Sequence, residues 1–132
     1  MKRLSLLLFV LLLLGATAAS VQLDFFRVEV QDNDFVITWQ TRVEEDVRAY
    51  ELHRKTSYSQ QFAPITEVTA RGANVTYRYV DDEVYKAASE QVDYKLIAVY
   101  TNGTQEQVTQ RQVNYTPTAV RRTWGSIKAM FQ

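Results

Sequence analysis

The sequence predicts an all-β domain, a sandwich of seven short strands, lying between an N-terminal export signal and a basic C-terminal segment. Three observations predict it. Beyond residue 19 the chain is rich in Val, Tyr, Phe and Thr, residue types that suit a pleated, half-buried surface. The whole chain of 132 residues holds only 4 Gly and 2 Pro. Apolar residues also alternate with polar ones in short segments separated by turn-forming clusters.

Residues 1–19 have the three parts of a signal peptidase substrate. Met1-Lys2-Arg3 is a basic start, and residues 4–14 are apolar except for Ser5. Small residues follow, with Ala16-Thr17-Ala18 and Thr17-Ala18-Ala19 as two registers of a small-x-small site. The stretch is short for a membrane span, which needs about 20 apolar residues. With Cys 0 in the chain, a lipid-anchored form is excluded and no disulfide framework is available. The expected destination is therefore outside the cytoplasm: periplasmic, outer-membrane-associated or extracellular.

Cleavage leaves about 113 residues, enough for one domain with a real core. The 15 basic and 15 acidic residues balance, and loss of Lys2 and Arg3 leaves a slightly acidic chain. That balance argues against a nucleic-acid partner. The charge is uneven along the sequence. No acid follows Glu106, whereas Arg111, Arg121, Arg122 and Lys128 are basic, the asymmetry of an interaction tail.

The strands read in order. Phe26-Arg27-Val28-Glu29-Val30 alternates apolar and charged, and Gln31-Asp32-Asn33-Asp34 is a turn cluster. Phe35-Val36-Ile37-Thr38-Trp39 returns as a second strand with Phe35, Ile37 and Trp39 on one face. Residues 41–46 read as a charged loop. Tyr50-Glu51-Leu52-His53-Arg54 centres a third strand with Tyr50 and Leu52 inward. Phe62, Ile65 and Val68 mark a fourth, which Pro64 places at an edge. Arg71-Gly72-Ala73-Asn74 is a turn, and residues 75–80 form a fifth strand. Residues 84–90 read as a loop or one helical turn. In the sixth strand Val92, Tyr94, Leu96, Ala98 and Tyr100 share a face, and Asn102-Gly103 is a hairpin turn into the seventh at residues 107–114.

After Pro117 the period changes. Val120, Trp124, Ile127 and Phe131 recur at helical spacing, with Arg121, Arg122 and Lys128 around them. Residues 117–132 thus read as a short basic amphipathic helix, and these seven residues are the candidate partner-binding set. One helix this short is marginal alone in water, so it needs a surface: its own domain, the groove of another envelope or secreted protein, or an anionic membrane.

Trp39 in the second strand and Tyr94-Lys95-Leu96 in the sixth resemble the fibronectin type III fold. The chain is more closely similar to a divergent form found in secreted proteins of Bacteroidetes-like bacteria. The resemblance runs through Ile37-Thr38-Trp39-Gln40-Thr41, then Glu44, Tyr50-Glu51-Leu52-His53-Arg54, Phe62, Ala70-Arg71-Gly72, Tyr77-Arg78-Tyr79 with Asp81, and Tyr94-Lys95-Leu96. It covers about residues 23–114. It implies an immunoglobulin-like sandwich of a three-stranded and a four-stranded sheet over residues 20–116, with Trp39 at the centre and Tyr94 near the corner before the sixth strand. It also implies a spacer or binding role without catalysis. The turn at 101–104 lacks an Arg-Gly-Asp tripeptide, so an integrin-type adhesion site is not carried over.

Few residues suggest chemistry. His53 is the only histidine, so a zinc site of nitrogen and sulfur ligands is not expected. A Ser-His-Asp triad would have to use His53; its strand phase points it to solvent, and a small hydrolase built on His53 stands as a third reading. Glu44-Glu45-Asp46 and Asp81-Asp82-Glu83 lack the alternating spacing of a Ca²⁺ loop and read as solvated turns. Three N-x-T sequons, at Asn74, Asn102 and Asn114, read as ordinary turn and strand composition. Tyr58, Tyr85, Tyr100 and Tyr115 are candidates for an aromatic sugar-binding face. No cofactor is expected. The sequence reading is a non-catalytic exported binding or spacer module of the cell envelope, or else a membrane-surface adaptor held by its C-terminal helix.

Overall fold

The computed structural model describes residues 20–84 and 91–114. Its seven strands are β1 (Val21–Gln31), β2 (Asp34–Glu44), β3 (Val47–Thr56), β4 (Ala63–Thr69), β5 (Thr76–Asp81), β6 (Gln91–Tyr100) and β7 (Gln105–Asn114). They form two antiparallel sheets, β1-β2-β5 and β4-β3-β6-β7. The three-plus-four sandwich is as expected. The export signal, residues 85–90 and the whole C-terminal segment, with all seven candidate partner-binding residues, lie outside the described residues.

The inner faces follow the sequence periodicity. Phe35, Ile37 and Trp39 from β2, Tyr50 and Leu52 from β3, and Val92, Tyr94, Leu96 and Ala98 from β6 are fully buried. Trp39 sits at the centre. It stacks on Tyr77 with ring centroids 5.1 Å apart and meets the edge of Tyr50 at 6.1 Å. Trp39 and Tyr77 are register partners of β2 and β5, so the sheet itself sets the stack. Such pairs add about 1 kcal/mol beyond the area they bury. The indole N–H finds no acceptor, which costs stability.

Two bulges change the phase of β1 and β2. The pairing runs Gln22 with Val43, Leu23 with Thr41 and Phe25 with Gln40, which leaves Asp24 and Arg42 as extra residues. Uninterrupted alternation would turn Glu44 outward. The bulge turns it inward beneath Thr41, which is fully buried. Residues 41–46 are therefore not a loop: β2 runs on to Glu44 and only Glu45 and Asp46 link it to β3, with Asp46 at φ 57.

Because consecutive strands alternate in direction, the connections collect at two poles. The entry pole holds Val21, the β2–β3 link, residues 70–75 and the Asn102-Gly103 turn. The exit pole holds the Asp32-Asn33 turn, the β3–β4 loop, the end of β5 and Asn114. β1 is an edge strand, and β7 reaches across to it: Arg111 Nη2 donates to the Phe26 carbonyl at 3.2 Å. The Val21 N–H also bonds the Tyr100 hydroxyl. Each bond takes one backbone group on the β1 edge out of reach of another strand.

Candidate functional site

Each pole is built around one carboxylate. At the entry pole Glu44 accepts from Thr41 Oγ1 at 3.0 Å, Tyr50 Oη at 2.8 Å, Tyr77 Oη at 3.1 Å and the Gly72 N–H at 2.8 Å. All four donors are neutral. They come from both sheets and from the β4–β5 connection, so one side chain ties the pole together. Burial, then the Glu44 hydrogen bond and charge, push the Tyr50 hydroxyl far up. Burial raises Tyr77 as well. Arg71 lies over the Tyr77 ring at 4.7 Å.

At the exit pole Asp81 is only 2% exposed. Arg54 Nη1 donates to its two oxygens at 2.6 and 2.8 Å, and Tyr94 Oη donates at 2.7 Å. Burial opposes the Arg54 charge, but Asp81 outweighs it and holds the guanidinium above its ordinary value. Burial, then the Asp81 charge and hydrogen bond, push the Tyr94 hydroxyl far up. Glu44 and Asp81 were read from sequence as members of solvated acidic turns. Both instead bind the hydroxyls of core tyrosines.

The outer face of the four-stranded sheet is polar. His53 Nε2 lies 3.0 Å from Glu51 Oε2, with the histidine side chain 15% exposed. It does face outward, as its phase required, but beneath neighbouring side chains rather than in open solvent. Lys55 pairs with Asp93 at 3.3 Å. The other Asp93 oxygen, Oδ1, is buried and has no donor. Phe62 does not belong to the strand it was assigned to. It precedes β4 and turns outward, with Lys55 Nζ 5.0 Å and Lys95 Nζ 4.3 Å from its ring centroid, within the range of cation–π attraction.

Between Thr56 and Phe62 the β3–β4 loop is pinned by its own hydroxyls. The Thr56 N–H donates to Ser59 Oγ at 3.0 Å, and the Ser59 N–H donates to Thr56 Oγ1 at 3.2 Å. The Gln60 N–H reaches the Thr56 carbonyl at 3.4 Å, and Gln60 adopts φ 56. Tyr58 stands at the tip, 72% exposed. Of the four tyrosines considered for a sugar face, Tyr58 is displayed, Tyr100 is buried at the opposite pole and donates to Glu106, and Tyr85 and Tyr115 lie outside the described residues. The loop carries a sequence signal that strand periodicity passes over: residues 57–61 contain no charge and no aliphatic side chain. Among the described residues no group of three or more His, Cys, Asp or Glu is placed to hold a metal ion.

No protein-family model matches the sequence, and no curated protein is similar to it. Solved structures are similar in fold. A Fn3-like protein from Clostridium thermocellum superposes with a TM-score of 0.52 at 17% identity, over 76% of this chain and 96% of that one. OgpA from Akkermansia muciniphila, solved in complex with an O-glycopeptide substrate, gives 0.58 at 8% identity over 74% of this chain and 29% of OgpA. A polysaccharide deacetylase from Bacillus cereus gives 0.52 at 6% identity over 70% of this chain and 30% of the enzyme. This chain thus spans under a third of both enzymes. At these identities the likeness is one of fold, and the fold is a fibronectin type III-like sandwich.

Proposed function

We propose that the chain is a non-catalytic, exported binding or spacer module of the cell envelope, of the divergent type seen in secreted Bacteroidetes-like proteins. The observation that carries this reading is the direction of the chain. β1 begins at one pole with Val21 and β7 ends at the other with Asn114, so the chain enters the sandwich at one end and leaves it at the opposite end. A body that the chain enters at one pole and leaves at the other suits a spacer or a module placed in line with its neighbours. The two most elaborate polar clusters, around Glu44 and Asp81, are saturated by structural donors and leave neither carboxylate free as a base or nucleophile. The fold neighbours support a modular role, since the same sandwich stands almost alone in one protein and forms under a third of others.

Two measurements test the reading together. Expression in a bacterial host with N-terminal sequencing of envelope fractions should find a chain beginning at Ala19 or Ser20. Capture of envelope proteins by that chain should fall when residues 118–132 are deleted. A full-length chain retained in the cytoplasm would overturn export. Capture unaffected by the deletion would remove the tail as the binding element, and retention by anionic liposomes through the tail would replace the module with a membrane adaptor.

A further inference from the structure

We propose that the β3–β4 loop is a recognition element for hydroxyl-rich glycans, with Tyr58 as its stacking platform. The inference rests on the binding-module reading and assigns that module a ligand class and a site on the sandwich itself.

Tyr58 is 72% exposed, and Val30, at 45%, is the other large hydrophobic residue exposed among those described. An exposed ring on a mobile loop would lose much of its contact energy in ordering. This loop is ordered already. Thr56 and Ser59 exchange backbone and hydroxyl hydrogen bonds at 3.0 and 3.2 Å, and Ser59 Oγ lies 3.2 Å from the Gln61 carbonyl. Phe62 fixes the far end through Lys55 and Lys95. Gln60 is held at φ 56, a conformation that non-glycine residues rarely adopt and that functional loops retain. A pre-ordered tyrosine offers a large contact surface at little entropic cost.

The composition of the tip selects the ligand. The side chains of Gln60 and Gln61 carry amides, which both donate and accept hydrogen bonds. Sugar hydroxyls do the same. The tip has no cation or anion to complement a charged partner, and no aliphatic side chain to fill an apolar pocket of a protein.

The test is affinity electrophoresis of residues 20–132, which contain every described strand, in native gels cast with gastric mucin, xylan or soluble peptidoglycan fragments. At least one gel should retard the chain. Tyr58→Ala should weaken the apparent Kd about tenfold or more and leave the thermal midpoint unchanged, because an exposed ring contributes little to the fold. Val30→Ala, at the other exposed large hydrophobic residue among those described, should leave glycan retardation intact. Equal retardation of wild type and Tyr58→Ala would overturn the site. No retardation in any gel would overturn the ligand class, and if the same chain still captures an envelope protein, the module reading survives that failure. Loss of both would sink the two together.

Discussion

The two poles solve the same problem by different means. Each must hold a carboxylate against the core so that tyrosine hydroxyls at the rim of the hydrophobic interior find acceptors. At the entry pole four neutral donors at 2.8 to 3.1 Å surround the Glu44 carboxyl group. At the exit pole Asp81 is neutralised by Arg54 from the opposite sheet. The first arrangement recruits loop backbone through Gly72 and so couples the order of the β4–β5 connection to the core. The second joins the sheets through side chains, and its one backbone donor, the Glu83 N–H at 3.3 Å, comes from two residues further along the same chain segment. Charge burial is thus linked to loop order at one end and to sheet-to-sheet contact at the other.

The contrast predicts that the exit pole fails harder. Arg54→Met should strand Asp81, 2% exposed, with Tyr94 and one backbone N–H as its remaining donors, at a cost of about 3–5 kcal/mol in urea unfolding. Adding Asp81→Leu should recover much of that loss, because the stranded charge is the cost and an apolar pair of similar volume fills the space. Trp39→Ala, between the poles, should cost a similar ~3–5 kcal/mol. A loss under about 1 kcal/mol for Arg54→Met would mean that water reaches Asp81 and that the poles do not differ.

Glu44→Gln should cost less, about 1.5–3 kcal/mol. The amide retains one acceptor oxygen, and its NH₂ group can donate to a tyrosine oxygen. What distinguishes the poles is where the damage appears. Hydrogen exchange should quicken at Arg71 and Gly72, whose N–H groups bond Tyr77 Oη and Glu44, while the exit pole stays protected.

Sequence periodicity carries the sandwich but not the poles, and the reason is visible in particular residues. Phe35, Ile37 and Trp39, or Tyr94, Leu96 and Ala98, alternate without interruption, so their phase reveals their burial. Glu44 lies beyond a bulge at Arg42 that no local pattern announces. The turn-like string Asp81-Asp82-Glu83 hides the one acid that turns inward toward Arg54, 27 residues away in sequence. Phe62 fits the apolar spacing of a strand yet leaves it, because two lysines on the neighbouring strands draw its ring outward. Tyr58 was one of four tyrosines considered for a sugar face, and nothing in the sequence set it apart from Tyr100, which is buried; the hydroxyl network that orders its loop is a matter of three-dimensional closure.

Alkali should act on both poles, with a sign fixed by the tyrosines. Burial and the bond to Glu106 push Tyr100 up to about 12, and Tyr50 and Tyr94 are displaced further in the same direction. In the unfolded chain a tyrosine ionises near pH 10. The folded state therefore holds these protons more tightly. The stabilisation is complete below about pH 10 and is lost as pH rises through the folded values. Absorbance at 295 nm should show core tyrosinate appearing together with loss of circular dichroism. Glu44→Gln should reduce this effect at Tyr50, because the hydrogen bond and charge of Glu44 are part of its displacement. Core tyrosinate forming while the fold remains intact would contradict the burial of these hydroxyls.

The smallest effect gives the sharpest comparison. Gly72 and Gly103 both lie at the entry pole with positive φ, 99 and 87, and nothing lies within 4 Å of a Cβ placed on either. Alanine at each should cost about 1 kcal/mol from backbone conformation, a shift of a few degrees in Tm. The two glycines differ in one respect: the Gly72 N–H bonds Glu44, whereas the Gly103 N–H bonds the Tyr100 carbonyl. If Glu44 orders the β4–β5 connection, the penalty at Gly72 should exceed that at Gly103, and the excess should vanish in a Glu44→Gln background while the Gly103 penalty stays the same. Such a double-mutant cycle isolates the coupling. Additive effects at Gly72 would show that the connection is ordered independently of the carboxylate, and the entry pole would then be no more cooperative than the ion pair opposite it.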